Sequence, residues 1–379
     1  MISLYQQKVP AAKVNRAALR SRYGYISGRI RVLEMQLLDG SRLNRLHEAR
    51  SPEDVARVLA ESGYPQAADP EMSLAHELEA VYSLLLANLP EPEFAETLLV
   101  FHDIHNVKVV LKHLLAGSPA AGPEPPIADE RMSAAGDSLL RPELSRKLTQ
   151  PGALDLYLRR PSMVSPDILV KAITEHKSDL LPDWLSNAAA EAVRCFRSTC
   201  DFGEMDLRLD KIAWSIVLLR AQALKCGYFT RYLQCRIDLV NLDLLLRTRF
   251  LRSGAEFLEK ALIPGGNIEN KLILPLYSGD HEAIRALYER TPYFELAGLS
   301  ATYGSRGSAA RFSLLADNLL MDLIREATRI VTGPEIALAY LFAREMEMKN
   351  IRIILTGRRN GLSQAQTRGM TRNNYLAWR

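Results

Sequence analysis

The feature that most constrains this chain is a pattern that occurs three times. Asp103-Ile-His-Asn-Val-Lys-Val-Val-Leu111, Asp238-Leu-Val-Asn-Leu-Asp-Leu-Leu-Leu246 and Glu347-Met-Lys-Asn-Ile-Arg-Ile-Ile-Leu355 each read acid, apolar, any, Asn, apolar, charged, apolar, apolar, Leu. Repetition over such intervals predicts several copies of one supersecondary unit. Each copy follows an earlier helical segment bearing an acid beside a small or apolar residue, at Leu78-Glu79, Leu209-Asp210 and Ala316-Asp317. The unit is therefore at least a helix pair. A weaker echo joins Ser51–Tyr64 to Asp280–Tyr293, each a capped helix ending in a turn and a tyrosine. By chain order that preface belongs to units one and three.

On a helix, the acid and the Asn three residues on share one face, and the Asn abuts apolar neighbours at the edge of a core. An amide there must find partners. The sequence points to the carboxylate one turn earlier, or to a free carbonyl at the end of a neighbouring helix. Loss of such a partner costs about 1–3 kcal/mol. A thrice-copied feature is explained more economically by the fold than by three active sites, so Asp103, Asn106, Asp238, Asn241, Glu347 and Asn350 are read as structural clamps.

Around the repeats, apolar residues recur at three- and four-residue spacing while alternating strand-like runs are nearly absent, which predicts an all-α protein. Ser51-Pro-Glu-Asp and Ser165-Pro-Asp supply N-caps with proline in the first turn. Ala116-Gly117, Lys225-Cys-Gly227, Ser253-Gly254 and Thr356-Gly357 read as helix stops. Gly117–Pro126 cannot propagate a helix and reads as a linker or surface loop. Tyr303–Arg311 holds two arginines among glycines but lacks the Lys-Ser/Thr of a phosphate-binding loop and follows no strand, so it reads as an inter-helix loop.

Composition excludes more than it identifies. With 47% hydrophobic and 24% charged residues the chain is an ordinary globular protein. Its 48 basic and 44 acidic residues leave a charge of +4, too little for a dedicated nucleic-acid binder. Seven basic residues and no acid follow Met348 (Lys349, Arg352, Arg358, Arg359, Arg368, Arg372 and Arg379), and an anionic partner would be sought there. Aromatic residues able to stack on bases are confined in that stretch to Tyr375 and Trp378, which disfavours nucleic acid. The longest apolar runs, such as Ala80–Pro90 and Ile336–Ala343, fall short of a bilayer span. The amino-terminal Met1–Lys8 lacks the pattern of a secretory signal, so a cytoplasmic location is expected. Cys195, Cys200, Cys226 and Cys235 form no CxxC pair and read as buried hydrophobes.

Catalytic chemistry finds little support. His102 and His105, with His113 beyond, could place imidazoles on one helical face as metal ligands. The equivalent positions in the other copies are Ile237 with Val240 and Met346 with Lys349, so the repeat does not preserve them. No nucleophile elbow, dinucleotide turn, HExxH helix or aspartate-rich magnesium cluster is present. No catalytic, cofactor or metal residue is assigned. A helical enzyme would need a pocket with convergent polar groups, as at His102, Asp103 and His105.

The three Asn-centred helices, the opening Tyr23-Gly-Tyr-Ile-Ser-Gly-Arg-Ile-Arg-Val-Leu-Glu34, Leu262-Ile-Pro-Gly-Gly266 and the closing Glu345-Met-Glu-Met-Lys-Asn-Ile-Arg352 resemble the C-subunit family of V-type and A-type ATPases, whose eukaryotic counterpart is the d subunit. The likeness runs from about Tyr23 to Tyr375. It implies a non-catalytic rotor part of the central stalk, a funnel of three similar helical units around a pseudo-threefold axis. Such a part would receive the D and F subunits of the central shaft on one side and sit on the membrane proteolipid ring with the other. It would be peripheral to the membrane on its cytoplasmic face, without cofactors, and would pass torque for ATP-coupled proton or sodium transport. The expected units are residues 1–135 with the proline-rich linker, 136–258, and 259–379 with the basic end. Arg247, Arg249, Arg352, Arg358 and Arg359 lie beside the repeat helices and are nominated as partner-facing. The rival reading is a helical-repeat scaffold or nucleic-acid adaptor unrelated to ion transport, which would show a basic groove and steep salt dependence.

Overall fold

A computed structural model describes residues 22–67, 69–116, 154, 157–175 and 177–376. Among these, regular structure is helical throughout, with no strand. The α-helices are α1 (Gly24–Leu33), α2 (Gly40–Glu48), α3 (Pro52–Glu61), α4 (Pro70–Asn88), α5 (Glu93–Ala116), α6 (Pro166–Thr174), α7 (Asp183–Thr199) and α8 (Phe202–Ala223). There follow α9 (Gly227–Leu251), α10 (Ala255–Ala261), α11 (Asn270–Ile273), α12 (His281–Tyr288), α13 (Phe294–Gly298), α14 (Ser308–Arg325), α15 (Pro334–Arg359) and α16 (Gln364–Arg368). The repeated Asn pattern falls on α5, α9 and α15, the three longest helices among them. No helix among the described residues is long and apolar enough to cross a membrane.

Local chemistry sets many of the boundaries. Ser51 caps α3 in a full capping box with Asp54, and Ser165 caps α6 through the Ile168 amide. Helix α8 ends where Lys225 turns left-handed at φ 52°, and Gly227 opens α9 instead of closing α8. The stop expected at Thr356-Gly357 lies inside α15, which runs to Arg359 and turns at Gly361, φ +69°. Gly357 is buried there because α16 packs on it: a Cβ would come within 3.1 Å of Thr367 Oγ1. Helix–helix contact outweighed the helix-breaking tendency of a glycine. The Tyr303–Arg311 segment is a loop only as far as Gly307, and its last residues start α14. The Gly117–Pro126 expectation lies outside the described residues.

One large core runs from Tyr23 to Tyr375 and joins α5, α8, α9, α14 and α15. Stacked rings tie it across elements: Tyr232 on Phe342 at 3.9 Å, and Phe101 edge-on to Trp214 at 4.8 Å. Two ion pairs fasten α5 to α8, Lys108 to Asp210 and Lys112 to Asp206, each at 2.6 Å. A second, smaller core places Leu46, Val55, Val58, Leu59 and Leu74 from the amino-terminal helices against Met348, Ile351 and Ile354 of α15. The two ends of the described chain therefore fold together.

Candidate functional site

The three asparagines perform one act. Each is fully buried or nearly so, and each brackets the N–H and C=O of a single backbone residue. Asn106 donates Nδ2 to Arg159 O at 3.0 Å and accepts Arg159 N at 2.6 Å. Asn241 does the same to Ile263, at 2.8 and 2.9 Å. Asn350 does it to Arg372, at 3.1 and 2.8 Å. A carboxamide carries the same donor and acceptor as a peptide group, so it can pair with a peptide as a strand neighbour would. The partner is thus neither the preceding carboxylate nor a helix-end carbonyl: it is a non-helical segment laid across the Asn helix. That register cannot be read from helix periodicity.

The acid one turn earlier takes a second point. Asp103 accepts Val164 N at 3.1 Å, five residues beyond Arg159; Asp238 accepts Ile268 N at 3.0 Å, five beyond Ile263. Burial pushes the Asp103 carboxyl up to about 7, against the opposing pull of the Val164 and Met163 amides. In the middle copy, Gly265 at φ +97° makes the turn and Gly266 lies flush on Asp238, where a Cβ would strike the carboxylate. This accounts for Gly265 and Gly266 of the 262–266 motif.

The third acid finds its partner at the other end of the chain. Glu347 accepts the Leu38 amide and, at 2.6 Å, the Tyr64 hydroxyl. Tyr293 likewise donates to Asp238 at 2.7 Å. The two echoed prefaces thus deliver their tyrosines to clamp acids: 280–293 serves the middle helix, and 51–64 serves the third, not the first that it precedes. Residues 38–64 therefore pack onto the asparagine helix nearest the carboxyl end.

Beneath this closure lies a buried charge cluster that sequence reasoning missed. Arg344, fully buried, lies between Glu347 (Nη1–Oε1 2.5 Å) and Glu77 (Nε–Oε1 3.0 Å), and its guanidinium stands 4.8 Å over the Tyr64 ring. Burial raises the Glu77 carboxyl above its ordinary range even with Arg344 beside it. Burial opposes the Arg344 charge, but the Glu347 carboxylate and its neighbours hold the guanidinium protonated. The available signal was a lone arginine directly after the apolar run Ile336–Ala343.

The remaining nominated residues have definite positions. His102 Nδ1 meets Pro161 O at 2.6 Å and His105 Nε2 meets Tyr157 O at 3.0 Å, both on the segment that Asn106 clamps. Burial and then Arg159 lower His105 to about 3. Among the described residues no group of three or more His, Cys, Asp or Glu side chains is arranged to hold a metal ion. Arg247 pairs with Asp243 at 2.7 Å, and Arg249 gathers the carbonyls of Leu276, Tyr277 and Gly279. Arg352 pairs with Glu71 at 3.0 Å, Arg358 donates to Leu46 O, and Arg359 is exposed. Five residues before each asparagine stand Phe101, Arg236 and Glu345. Arg236 lies 5.6 Å over the Phe101 ring, and Glu345 accepts the Tyr82 hydroxyl at 3.3 Å.

The repeated polar residues of this helical body are spent on its own backbone. Residues 26–370 match the ATP synthase (C/AC39) subunit family, and the chain belongs to it. Among curated proteins it is 22% identical over 360 residues to the C subunit of the V-type sodium ATPase of Enterococcus hirae, covering 93% of this chain and 99% of that one. It is 21% identical over 356 residues to the C subunit of the A-type ATP synthase of Thermoplasma volcanium (88% and 93% covered). With the corresponding A-type protein of Methanocaldococcus jannaschii the figures are 24% over 370 residues (92% and 86%).

Proposed function

We propose that this chain is the central-stalk connector of a V/A-type rotary ATPase, receiving the D and F subunits of the shaft and seating on the proteolipid ring at the cytoplasmic face of the membrane. The observation that carries this reading is the triple backbone clamp within a chain of the C/AC39 family. Three like units would surround a pseudo-threefold axis, and the approach of Arg236 to Phe101 from matching positions of two repeats supports that arrangement.

The clamps suit torque transmission. Dense helical interiors deform little, and each clamp fastens a non-helical segment to a long helix, with a second point from the neighbouring aspartate in the first two copies. Because Glu347 holds Leu38 and Tyr64, the amino-terminal helices of the described chain are tied to the helix near its carboxyl end. The six clamp residues are accordingly fold-setting, and the exposed Arg359 is the nominated arginine with most freedom to meet a partner.

Deleting the chain from the assembled enzyme tests the reading. ATP hydrolysis by the soluble head should persist while coupled ion pumping is lost. Normal pumping without the chain refutes it.

A further inference from the structure

Single exposed apolar side chains are ordinary, but a group of them marks an interaction site. Among the large hydrophobic residues described here, the four most exposed are Val331 at 88%, Tyr25 at 69%, Val32 at 65% and Met35 at 62%. All four lie in one region. Tyr25, Val32 and Met35 follow the outer side of α1 and the turn after it, while Tyr23, Ile26 and Ile30 bury the other side. The 330–333 loop lies alongside: Arg31 donates to Ile330 O at 2.5 Å, and Ser27 accepts the Gly333 amide at 3.4 Å. Val331 is thereby held next to α1.

The outer side of α1 is also flat. Gly24 and Gly28 sit on it, and a Cβ at either would meet nothing within 4 Å. Two of the nearby acids are engaged internally, Glu34 by Arg31 at 2.8 Å and Tyr375 at 3.0 Å, and Glu91 by Tyr23 and by Arg22 at 3.2 Å, while Glu335 is half-buried and folds back over Gly333. Arg29 on the helix and Arg329, two residues before Val331, are exposed and form no ion pair with the described residues. The exposed charges that flank the patch are thus basic, Tyr, Met and Arg are enriched at protein–protein interfaces, and a flat helix side admits close approach of another helix.

We propose that the α1 face, with Tyr25, Val32, Met35 and Val331 flanked by Arg29 and Arg329, docks an acidic, apolar-faced α-helix of a partner subunit. The inference rests on the connector reading only in requiring a partner within the complex, and the two tests fail separately. Apolar contact would supply the affinity, while the two arginines would set the orientation and the salt dependence.

The test uses the purified complex with a photoreactive p-benzoylphenylalanine placed at Met35, together with the charge reversal Arg29→Glu/Arg329→Glu. The expected adduct is with one helical segment of another subunit that carries Asp or Glu. Retention of this chain in the complex should fall roughly tenfold or more on charge reversal and be largely restored by Arg29→Lys/Arg329→Lys. Val32→Asp is a second variant that should also weaken retention. Since these side chains are exposed, the thermal midpoint of the full-length chain should stay unchanged. Adducts confined to lipid, to residues 1–21 of this chain or to a segment without acids overturn the proposal, as does wild-type retention of the reversed and Val32→Asp variants.

Discussion

Replacing Asn241 by Leu removes the clamp while keeping the bulk of the side chain. The side chains are close in size, so little cavity or overpacking results. What is lost is the bond from Nδ2 to Ile263 O at 2.8 Å and the bond from Ile263 N to Oδ1 at 2.9 Å, together with a long bond from Nδ2 to Asn270 Oδ1 at 3.4 Å. Asn241 is fully buried and Ile263 nearly so, leaving both backbone groups without water to replace the amide. Each stranded group costs about 1–3 kcal/mol. Two such groups, less about 1–2 kcal/mol for burying an apolar side chain in place of a polar one, leave a net loss of about 2.5 kcal/mol at the middle of these ranges. With an unfolding entropy of about 2.1 cal/mol/K per residue, a cooperative chain of 379 residues shifts by about 1 °C per kcal/mol, so the thermal midpoint should drop by roughly 3 °C. Urea unfolding of the full chain provides the assay, with the midpoint lowered at unchanged slope. The control is Asn360→Leu at the exposed end of α15, which should change stability by no more than about 0.5 kcal/mol. Equal midpoints for the two variants would refute the clamp.

Two further substitutions probe the other polar groups. Asp103 titrates near 7 in the fold against 3.8 ordinarily, so its contribution is fully present below 3.8 and is lost as pH rises through 7. His105 is lowered to about 3 from 6.5, so its contribution is present above 6.5 and lost as pH falls toward 3. These slopes oppose one another between about 4 and 6.5, and Asp103→Asn should therefore unmask a fall in stability on acidification; an unchanged pH profile of the urea midpoint would contradict the burial of Asp103. Arg344→Met should destabilise by about 3–5 kcal/mol by leaving Glu77 and Glu347 buried without a cation, whereas adding Glu77→Gln and Glu347→Gln should recover a large part of that loss. Equal thermal midpoints for the single and triple variants would show that the cluster is not coupled.

Two helix starts and one helix stop, handled differently by the fold, show how far local sequence carries. Ser51 and Ser165 cap helices because the cap is a bond within one turn, and nothing distant can improve on it. Gly357 is a helix stop by the same local logic, yet it lies within α15 because α16 needs the space that its missing side chain leaves. The asparagines were recognisable as residues needing partners, since apolar neighbours surround them at helical spacing. Their partners were not, because Arg159, Ile263 and Arg372 are chosen by how a loop lies across a helix. Arg344 stood out in the chain only as a charge at the end of an apolar run; its acids come from two helices and its aromatic neighbour Tyr64 from the turn after α3.

By itself the amino-acid sequence determined the helical class, the threefold recurrence and the identity of the residues that had to be satisfied, since each follows from periodicity and from the cost of burying an unpaired polar group. Tertiary structure alone decided which backbone each amide would grip, and that the preface at residues 51–64 would serve the last repeat rather than the first. The reason is that hydrogen bonds depend on proximity in space, and folding brings Leu38 and Tyr64 to Glu347 across a separation that no local pattern encodes.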